Sequence, residues 1–484
     1  MLLYTLLEDY AQTNLPNQEI TGLTDDSRKV KPGMVFACIQ GEHFDGHTVA
    51  QEVLDKGAVV VLVERDLGLG DRQILTSDTR KLYGQLCAAW FHHPERELRF
   101  IGVTGTNGKT TIAILIKHML TQVGRKVGLI GTIQNEIGDT VLHTNNTTPF
   151  VYDLMALYRQ MADAGCQDVV MEVSSFGLEQ QRIGETHYAV AIFTNLTQDH
   201  LDYHVTMENY YQAKKLLFSR CDHAIINIDD PYGQRLIQEI SCPVTTYSTS
   251  SQADFYADAM KLRADGSSFW LCHSGKSWRV QLHLTGMFNV SNALATAAAT
   301  SVAGLSMQEV ITGLESCEGV RGRCEVIPID RDFTIICDYA HTPDAIENIL
   351  KSVKEYTKGR LLCLFGCGGN RDVTKRPKMA KAAAKYADFL IITSDNPRDE
   401  DPQAIIEDIL TGLTDSDVPY IVVVDREEAI LRAMQLAEKD DILVLAGKGH
   451  EDYQILSGGV HIHMDEREIV RACLPQVPKR TEEA

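Results

Sequence analysis

Residues 102–111, "GVTGTNGKTT", set Gly105, Gly108, Lys109, Thr110 and Thr111 between an apolar run and the apolar helical stretch "IAILIKHML". Glycines let backbone amides approach phosphate oxygens, and a helix N-terminus favours the negative charge that then sits there. A lysine at this junction reaches terminal phosphates, and the threonine after it can ligate magnesium. Val103 stands where the commonest form of this loop has its first glycine, so the stretch is a variant of that pattern.

A second chemical stretch, "TSDNPRDEDP" at 393–402, sets Arg398 among acidic neighbours directly behind the apolar run "ADFLIIT". An Asn-Pro turn at a strand end aims the arginine more narrowly than an ordinary solvated charge run would. Glu172 ends the run "DVVMEV", and His200 lies in "QDHLDYH". Taken alone, His200, Asp202 and His204 are equally a capped loop or a zinc site. Lys214 and Lys215 in "YYQAKK" read by themselves as an exposed helix face.

The elements that must carry these residues form an α/β chain of several domains. At 484 residues the chain exceeds what one core supports, and its 44% hydrophobic and 23% charged residues are those of an ordinary globular protein. Up to about residue 96 short strands such as "GMVFACI" and "AVVVLVE" alternate with turns and helical stretches, as in a small α/β domain. From 97 to about 325 the runs "KVGLIGT", "DVVMEVSS", "YAVAIFTNLT" and "HAIINID" predict a mostly parallel sheet covered by helices and led by the phosphate loop. From 326 to 484 a second such series, "FTIICDYAH", "RLLCLFGCGG", "DFLIITSDNPR", "YIVVVD" and "DILVLAGKGHE", predicts a Rossmann-like domain. In all of these except "YIVVVD" the polar or glycine-rich cluster follows the run rather than preceding it, which puts the candidate sites on one rim beyond the strands' carboxyl ends. The last residues, "PQVPKRTEEA", read as a loose tail.

A formal charge of −20 (46 basic against 66 acidic residues) argues against a nucleic-acid partner. The twelve cysteines are scattered without C-x-x-C pairs and read as core thiols in a reducing compartment. The start "MLLYTLLEDY" lacks the basic opening of a signal peptide, and no apolar run approaches a membrane span. The expectation is a soluble, cytoplasmic monomer.

"GVTGTNGKTT" is similar to the ATP loop of the Mur ligase family. "DDSR", "NTTP", "MEVSS", "TNLTQDHLDYH", "YYQAKKLLF", "FNVSNALA", "DYAHTPD", "GCGGNRD", "DNPR" and "GKGHEDYQ" extend the resemblance along the whole chain in the family's order. The set resembles the branch that adds the third residue of the peptidoglycan stem. The resemblance implies an ATP-dependent amide ligase that activates a carboxylate as an acyl phosphate. Its substrates would be ATP, UDP-N-acetylmuramoyl-L-alanyl-D-glutamate and meso-diaminopimelate.

For ATP, the resemblance implies Gly105, Thr106, Asn107, Gly108, Lys109, Thr110 and Thr111, with Asn289, Asn292, Arg323 and Asp338, and His341 close by. Magnesium would be held by Thr110, Glu172, His200 and a carbamylated Lys214; Lys109, Glu172, His200 and Lys214 would be the catalytic set. The UDP substrate would meet Ser27, Glu42, His43, Phe44, Asn146, Thr147, Thr148, Ser174, Gln180 and Arg182. The amino acid would meet Arg371, Asp395, Asn396, Pro397, Arg398, Gly447 and Glu451, with Arg398 on the far carboxylate that distinguishes diaminopimelate from lysine. Phe176 departs from the pattern, because many relatives have a histidine there. A hinge is expected near 320–330, closing the C-terminal domain over the central one. The competing readings are a sister ligase using L-lysine or a folylpolyglutamate-like acceptor, and a non-catalytic nucleotide-binding homologue.

Overall fold

The computed structural model describes residues 1–41, 44–144, 146–263 and 266–478, without the Asp202 side chain. Among the described residues three large sheets follow one another along the chain, with a two-stranded antiparallel pair, Tyr453–Ile455 and His461–His463, near the end. The first is parallel, its strands Gly22–Thr24, Met34–Ala37, Val60–Val63 and Gln73–Leu75 lying in chain order.

The second sheet has eleven strands. Its seven parallel strands run, in spatial order, Phe255–Arg263, Val244–Ser248, Ala224–Asn227, Tyr188–Phe193, Arg99–Thr104, Asp168–Glu172 and Val127–Ile130. Antiparallel strands extend both edges. Strand order reverses around Arg99–Thr104, whose neighbours Asp168–Glu172 and Tyr188–Phe193 both come later in the chain. At such a switch point the flanking connections leave in opposite directions and open a crevice at the carboxyl end. The phosphate loop starts there, and Glu172 and Asn195 follow the two neighbouring strands.

The third sheet orders Glu325–Ile327, Thr334–Asp338, Ile442–Ala446, Leu361–Phe365, Phe389–Ile392 and Tyr420–Val422, parallel except for the first strand. Leu361–Phe365 and Ile442–Ala446 are buried along their whole length, as strands covered by helices on both faces must be. "YIVVVD" forms only the partly exposed edge strand. The predicted α/β architecture with mostly parallel sheets is what the structure has. All twelve cysteines are free thiols, Cys363 and Cys367 included, and all but the half-buried Cys242 are buried. No helix among the described residues is long and apolar enough to cross a membrane.

Two helices aim the central and third sheets at each other. Lys109–Gln122 starts at Gly108, whose φ of 88° is the left-handed region that glycine reaches without strain. Pro343–Lys354 starts under Thr342, whose hydroxyl accepts from the Ala345 amide, with Pro343 at the first helical position and Asp344 in the first turn.

Candidate active site

A cleft of about 960 Å³ lies between the central and third sheets. Its central wall includes Phe176 and Thr197–Leu201; its C-terminal wall includes Tyr339, His341–Asp344, Gly366–Gly368, Asn370–Asp372, Asp395, Asn396, Arg398, Gly447 and Glu451.

Beside the central wall, to which Thr197 ties it, the phosphate loop is packed so closely that side chains at its glycines would collide. A Cβ on Gly108 would lie 2.5 Å from Asn292 Oδ1, and one on Gly105 would strike Thr194 Oγ1. Thr106 Oγ1 receives the Thr197 amide, and Asn195 Oδ1 receives the Asn107 amide. Lys109 Nζ folds back to donate to the carbonyls of Gly105 and Thr106, both at 2.9 Å. Burial holds this ammonium below the ordinary lysine value, while Glu172 and Asp199 pull it back up. Thr111 is buried in the first turn of the helix.

Glu172 is 1% exposed, and its partners are hydroxyls and an amide. Thr110 Oγ1 donates to Oε2 at 2.9 Å; Thr132 donates its amide to Oε1 and its hydroxyl to Oε2. Arg323 Nη2 reaches Thr110 Oγ1 from beyond the central sheet at 3.1 Å, while its buried Nε lacks a hydrogen-bond partner. A carboxylate and a hydroxyl in contact are the hard oxygen donors a magnesium ion takes. Among the described residues, no group of three or more His, Cys, Asp or Glu side chains is assembled to hold a metal.

His200 stands at the cleft rim with a φ of 54°, its Nε2 3.3 Å from Asp199 Oδ2 and its ring edge-on to Phe176 at 5.1 Å. Phe176 packs against Tyr203 and His204 as well. Among the described residues the zinc alternative is not assembled. His204 is buried, with Nε2 on Ser175 Oγ at 2.9 Å and Nδ1 3.2 Å from Glu179, and the Asp202 side chain lies outside the described residues.

Lys214 overturns the exposed-face reading: it is 2% exposed, with Nζ on the Gly105 carbonyl at 2.8 Å and 4.4 Å from the centre of the Tyr210 ring. The helix Met207–Lys215 turns this residue inward, beneath the phosphate loop. Burial, reinforced by the neighbouring Lys109 charge, pushes its ammonium far below the ordinary value. Lys109 and Lys214 thus converge on a single carbonyl oxygen.

Asn289 and Asn292 sit one turn apart on the helix Met287–Val302, both buried. Asn292 Nδ2 donates to Asn289 Oδ1, which leaves Asn292 Oδ1 against Gly108. Asp338 has each carboxylate oxygen on a backbone amide, Cys324 and Ala340, so its visible work is to tie the start of the third sheet together. His341 lines the cleft, its Nδ1 2.8 Å from the Tyr339 carbonyl oxygen; burial holds it below the usual histidine range.

On the C-terminal wall, Asn396 Nδ2 donates to Glu451 Oε2 at 3.0 Å. Arg398, at φ 52°, donates from Nη1 to the Gly369 carbonyl at 2.9 Å. Burial and the like charge of Arg371 both press the Arg398 guanidinium below its ordinary value. Arg371 donates from Nη1 to the adjacent Asn370 carbonyl at 2.9 Å and reaches the same cleft. Asp395 lines the same cleft although it is largely buried; burial raises it, but Lys448 and Arg426 prevail and keep it ionised below the ordinary range. Gly447, at φ 114°, is needed because a Cβ there would sit 2.7 Å from Asp395 Oδ2. Pro397 is buried between Asn396 and Arg398.

The residues expected on the UDP substrate fall in a separate region. Arg182 lies over the Phe150 ring at 4.1 Å, donates to Thr148 O and twice to Gln180 Oε1, and shares a small groove with Asp25, Ile39, Arg80 and Tyr83 of the first domain. Thr147 Oγ1 is 3.0 Å from Thr132 Oγ1, joining this region to Glu172; Thr148 Oγ1 donates to the Glu172 carbonyl. Ser174 caps the helix Ser175–Glu179. Asn146 accepts Thr144 on its carbonyl, Ser27 accepts Lys56 on its own, and Phe44 is exposed. Glu42 and His43 lie outside the described residues. Sequence reasoning missed Thr132, Asp344, Lys448, Asp25 and Arg80. Only Lys448, set between two glycines in "GKGHE", carried a local signal.

The chain matches the descriptions "Mur ligase family, catalytic domain" over residues 19–89, "Mur ligase middle domain" over 103–300 and "Mur ligase, glutamate ligase domain" over 322–449. It is 45% identical over 459 residues to UDP-N-acetylmuramoyl-L-alanyl-D-glutamate--2,6-diaminopimelate ligase 1 of Clostridium acetobutylicum, covering 94% of each chain. The Clostridioides difficile ligase of the same name, without the number, is 44% identical over 466 residues, 95% of this chain and 96% of that one. A solved structure of such a ligase superposes with a TM-score of 0.72 at 33% identity, covering 98% of this chain and 99% of the other. The Thermotoga maritima MurF ligase solved with ADP shares the fold at TM-score 0.61 and 17% identity, covering 94% of this chain and 97% of that one. With relatives this similar over nearly its whole length, the chain belongs to the Mur ligase family.

Proposed function

We propose that this chain is an ATP-dependent amide ligase joining meso-2,6-diaminopimelate to the D-glutamyl γ-carboxylate of UDP-N-acetylmuramoyl-L-alanyl-D-glutamate, in the cytoplasmic synthesis of peptidoglycan precursors. The observation that carries the reading is a phosphate loop hydrogen-bonded to cleft residues Thr197 and Asp344, with Arg398, Arg371 and Glu451 lining the same cleft. The two guanidiniums repel each other and suit a carboxylate between them; Glu451 suits an ammonium. An amino acid with an acid-base head remote from its reacting amine offers both. L-lysine lacks the far carboxylate.

A carboxylate is a poor electrophile, so ATP first converts it to an acyl phosphate; the amine then adds at the carbonyl carbon, and the tetrahedral intermediate collapses with loss of phosphate. Lys109, the loop amides and Arg323 face the charge that builds on the transferring phosphoryl group. Thr110 and Glu172, with His200 and a carbamylated Lys214, are the residues that would hold magnesium, which when bound neutralises phosphate charge. Arg182, Gln180, Thr147, Thr148 and Ser174 orient the acceptor, with Ser27, Glu42, His43, Phe44 and Asn146 toward the uridine end. The three segments suggested for the domains, 1–96, 97–325 and 326–484, divide these duties as acceptor, nucleotide and amino acid, and the protein acts as a monomer.

The test is phosphate release from ATP in the presence of the UDP-dipeptide, with meso-diaminopimelate, L-lysine or no amino acid. Turnover with diaminopimelate alone supports the reading. Turnover with lysine keeps the ligase and discards the role of Arg398, whereas turnover with neither overturns the assignment.

A further inference from the structure

Behind the amino-acid wall, and outside the cleft lining, sits a fully buried lysine. Lys448 is 0% exposed, held between Gly447 and Gly449, whose φ values of 114° and 51° belong to the left-handed half of backbone space. Its Nζ donates to Asn396 Oδ1 at 2.7 Å and to Glu451 Oε2 at 2.8 Å, and lies 5.4 Å from the centre of the Tyr453 ring. Asn396 Oδ1 also accepts the Ile455 amide at 2.9 Å.

These contacts settle which way the Asn396 amide faces. Two donors that cannot accept, an ammonium and a backbone N–H, meet at one end of the amide, so that end is the oxygen. The nitrogen then gives one hydrogen to Glu451 Oε2, which leaves the other for a ligand in the cleft that Asn396 lines. Glu451 is fixed in the same way: Oε2 receives both Lys448 and Asn396, so Oε1 is the oxygen left for the cleft. Without the ammonium, Glu451 and the buried Asp395 would stand as two like charges in one wall, and the Asn396 amide could rotate to present its oxygen.

We propose that Lys448 is a positioning residue that sets amino-acid specificity by holding Asn396 as a hydrogen-bond donor and Glu451 as a single outward carboxylate oxygen. The inference rests on the functional reading above. Asn396 turned donor-outward favours a carboxylate, and Glu451 Oε1 favours the ammonium beside it. The two heads of this wall therefore match an amino-acid terminus in one orientation only.

The experiment compares the intact wild-type enzyme with Lys448→Met and Lys448→Ala, measuring kcat/KM for meso-diaminopimelate, its ratio to L-lysine, and KM for ATP and for the UDP-dipeptide. The expected result is a fall in kcat/KM for diaminopimelate of about 10- to 100-fold, the size of one or two charge-assisted hydrogen bonds. The preference over lysine should narrow, the other two KM values should hold within about two-fold, and methylammonium should partly rescue Lys448→Ala. Unchanged selectivity, or an equal rise in all three KM values, would overturn the proposal. Should the variants fail to fold, a crystal structure of the wild-type enzyme with diaminopimelate and a non-hydrolysable ATP analogue decides: both Lys448 bonds should persist with no ligand atom on Nζ, and a ligand atom there, or the loss of either bond, overturns it. A wild-type enzyme that does not use diaminopimelate would bring down the functional reading and this inference together, whereas wild-type activity with unaltered variants would bring down this inference alone.

Discussion

Asn107 of the phosphate loop donates from Nδ2 to Asp344 Oδ2 across the cleft at 3.0 Å, and the same oxygen accepts Thr197 Oγ1 at 2.9 Å and Asn348 Nδ2 at 3.0 Å. Two of the three donors belong to the central domain and one to Asp344's own helix, so a single carboxylate oxygen ties the helix that follows Thr334–Asp338 to the glycine-rich loop of the central domain. Burial raises this carboxyl above the usual range, while the hydrogen bonds from Thr197 and Asn348 pull it back.

Asp344→Ala should therefore loosen closure rather than folding. Two lost hydrogen bonds between domains, about 1 kcal/mol each, predict a rise in KM for ATP or a fall in kcat totalling about 5- to 30-fold. Asp344→Asn keeps an accepting oxygen and should lose less. Scattering profiles of the substrate-bound Ala variant should be more open than those of wild type; equal profiles with equal kinetics would remove the latch.

Arg398→Ala should cost diaminopimelate use far more than ATP binding. Losing the partner of a buried charged group weakens discrimination by about 10⁴-fold in favourable cases. Because Arg398 here also donates to the Gly369 carbonyl and is partly exposed, a smaller loss, about 10²- to 10³-fold in kcat/KM, is expected. Arg398→Lys should recover little, since an ammonium cannot reproduce the planar fork. Equal losses for ATP and diaminopimelate would sink the specificity argument.

The strands were legible because parallel sheets covered on both faces leave continuous apolar runs, and the polar cluster trailing every run of the last series except "YIVVVD" marked the candidate rim. Lys214 was legible only through resemblance. A lysine pair at the end of a helix has the same local pattern whether it faces water or the underside of a loop a hundred residues away, and only tertiary packing separates the two. Asp344 is hidden for a similar reason: at the first turn of a helix behind Pro343 it reads as an ordinary helix-start carboxylate, and its donors come from 147 and 237 residues away. Asp338 entered the nucleotide set only through resemblance, and its engagement of the Cys324 and Ala340 amides, a demand of the local turn, is something no spacing reveals.

Lys214 leads to a chemical prediction. Its depressed pKa, from burial and then the Lys109 charge, increases the neutral amine at pH 7. Carbon dioxide would add to that amine, forming a nitrogen–carbon bond and releasing a proton, so that a cation next to Lys109 would become an anion. The replacement turns a repulsion into an attraction. Enzyme equilibrated with ¹³C-labelled bicarbonate should show a carbamate carbon resonance that is absent from Lys214→Ala. Activity of Lys214→Ala should be lost and partly restored by acetate or propionate. A normal activity for that variant, or no carbamate signal in active wild type, would exclude the modification.

The helix that carries Lys214 is braced from outside, and acid should undo that brace. Arg235 donates to both oxygens of Glu208 at 2.6 and 2.8 Å and to Glu239 Oε1 at 2.6 Å. Glu239 Oε2 also accepts Lys215 at 2.7 Å and the Tyr211 hydroxyl at 3.0 Å. A network of this kind is worth more than isolated surface pairs, although salt screens it. The Arg235 hydrogen bonds hold Glu208 down at about 2, and Lys215 followed by Arg235 holds Glu239 at about 2. An unfolded glutamate titrates near about 4.3, so each folded pKa is depressed. The contribution is thus fully present above about pH 4.3 and is lost as pH falls toward 2. Arg235→Ala should lower Tm at pH 7 in low salt, and the gap from wild type should shrink through that acid window and in high salt. A gap that stayed constant from pH 7 to pH 2 would mean that Arg235 supports the helix by packing on Tyr211, whose ring it covers at 4.3 Å, and not by charge.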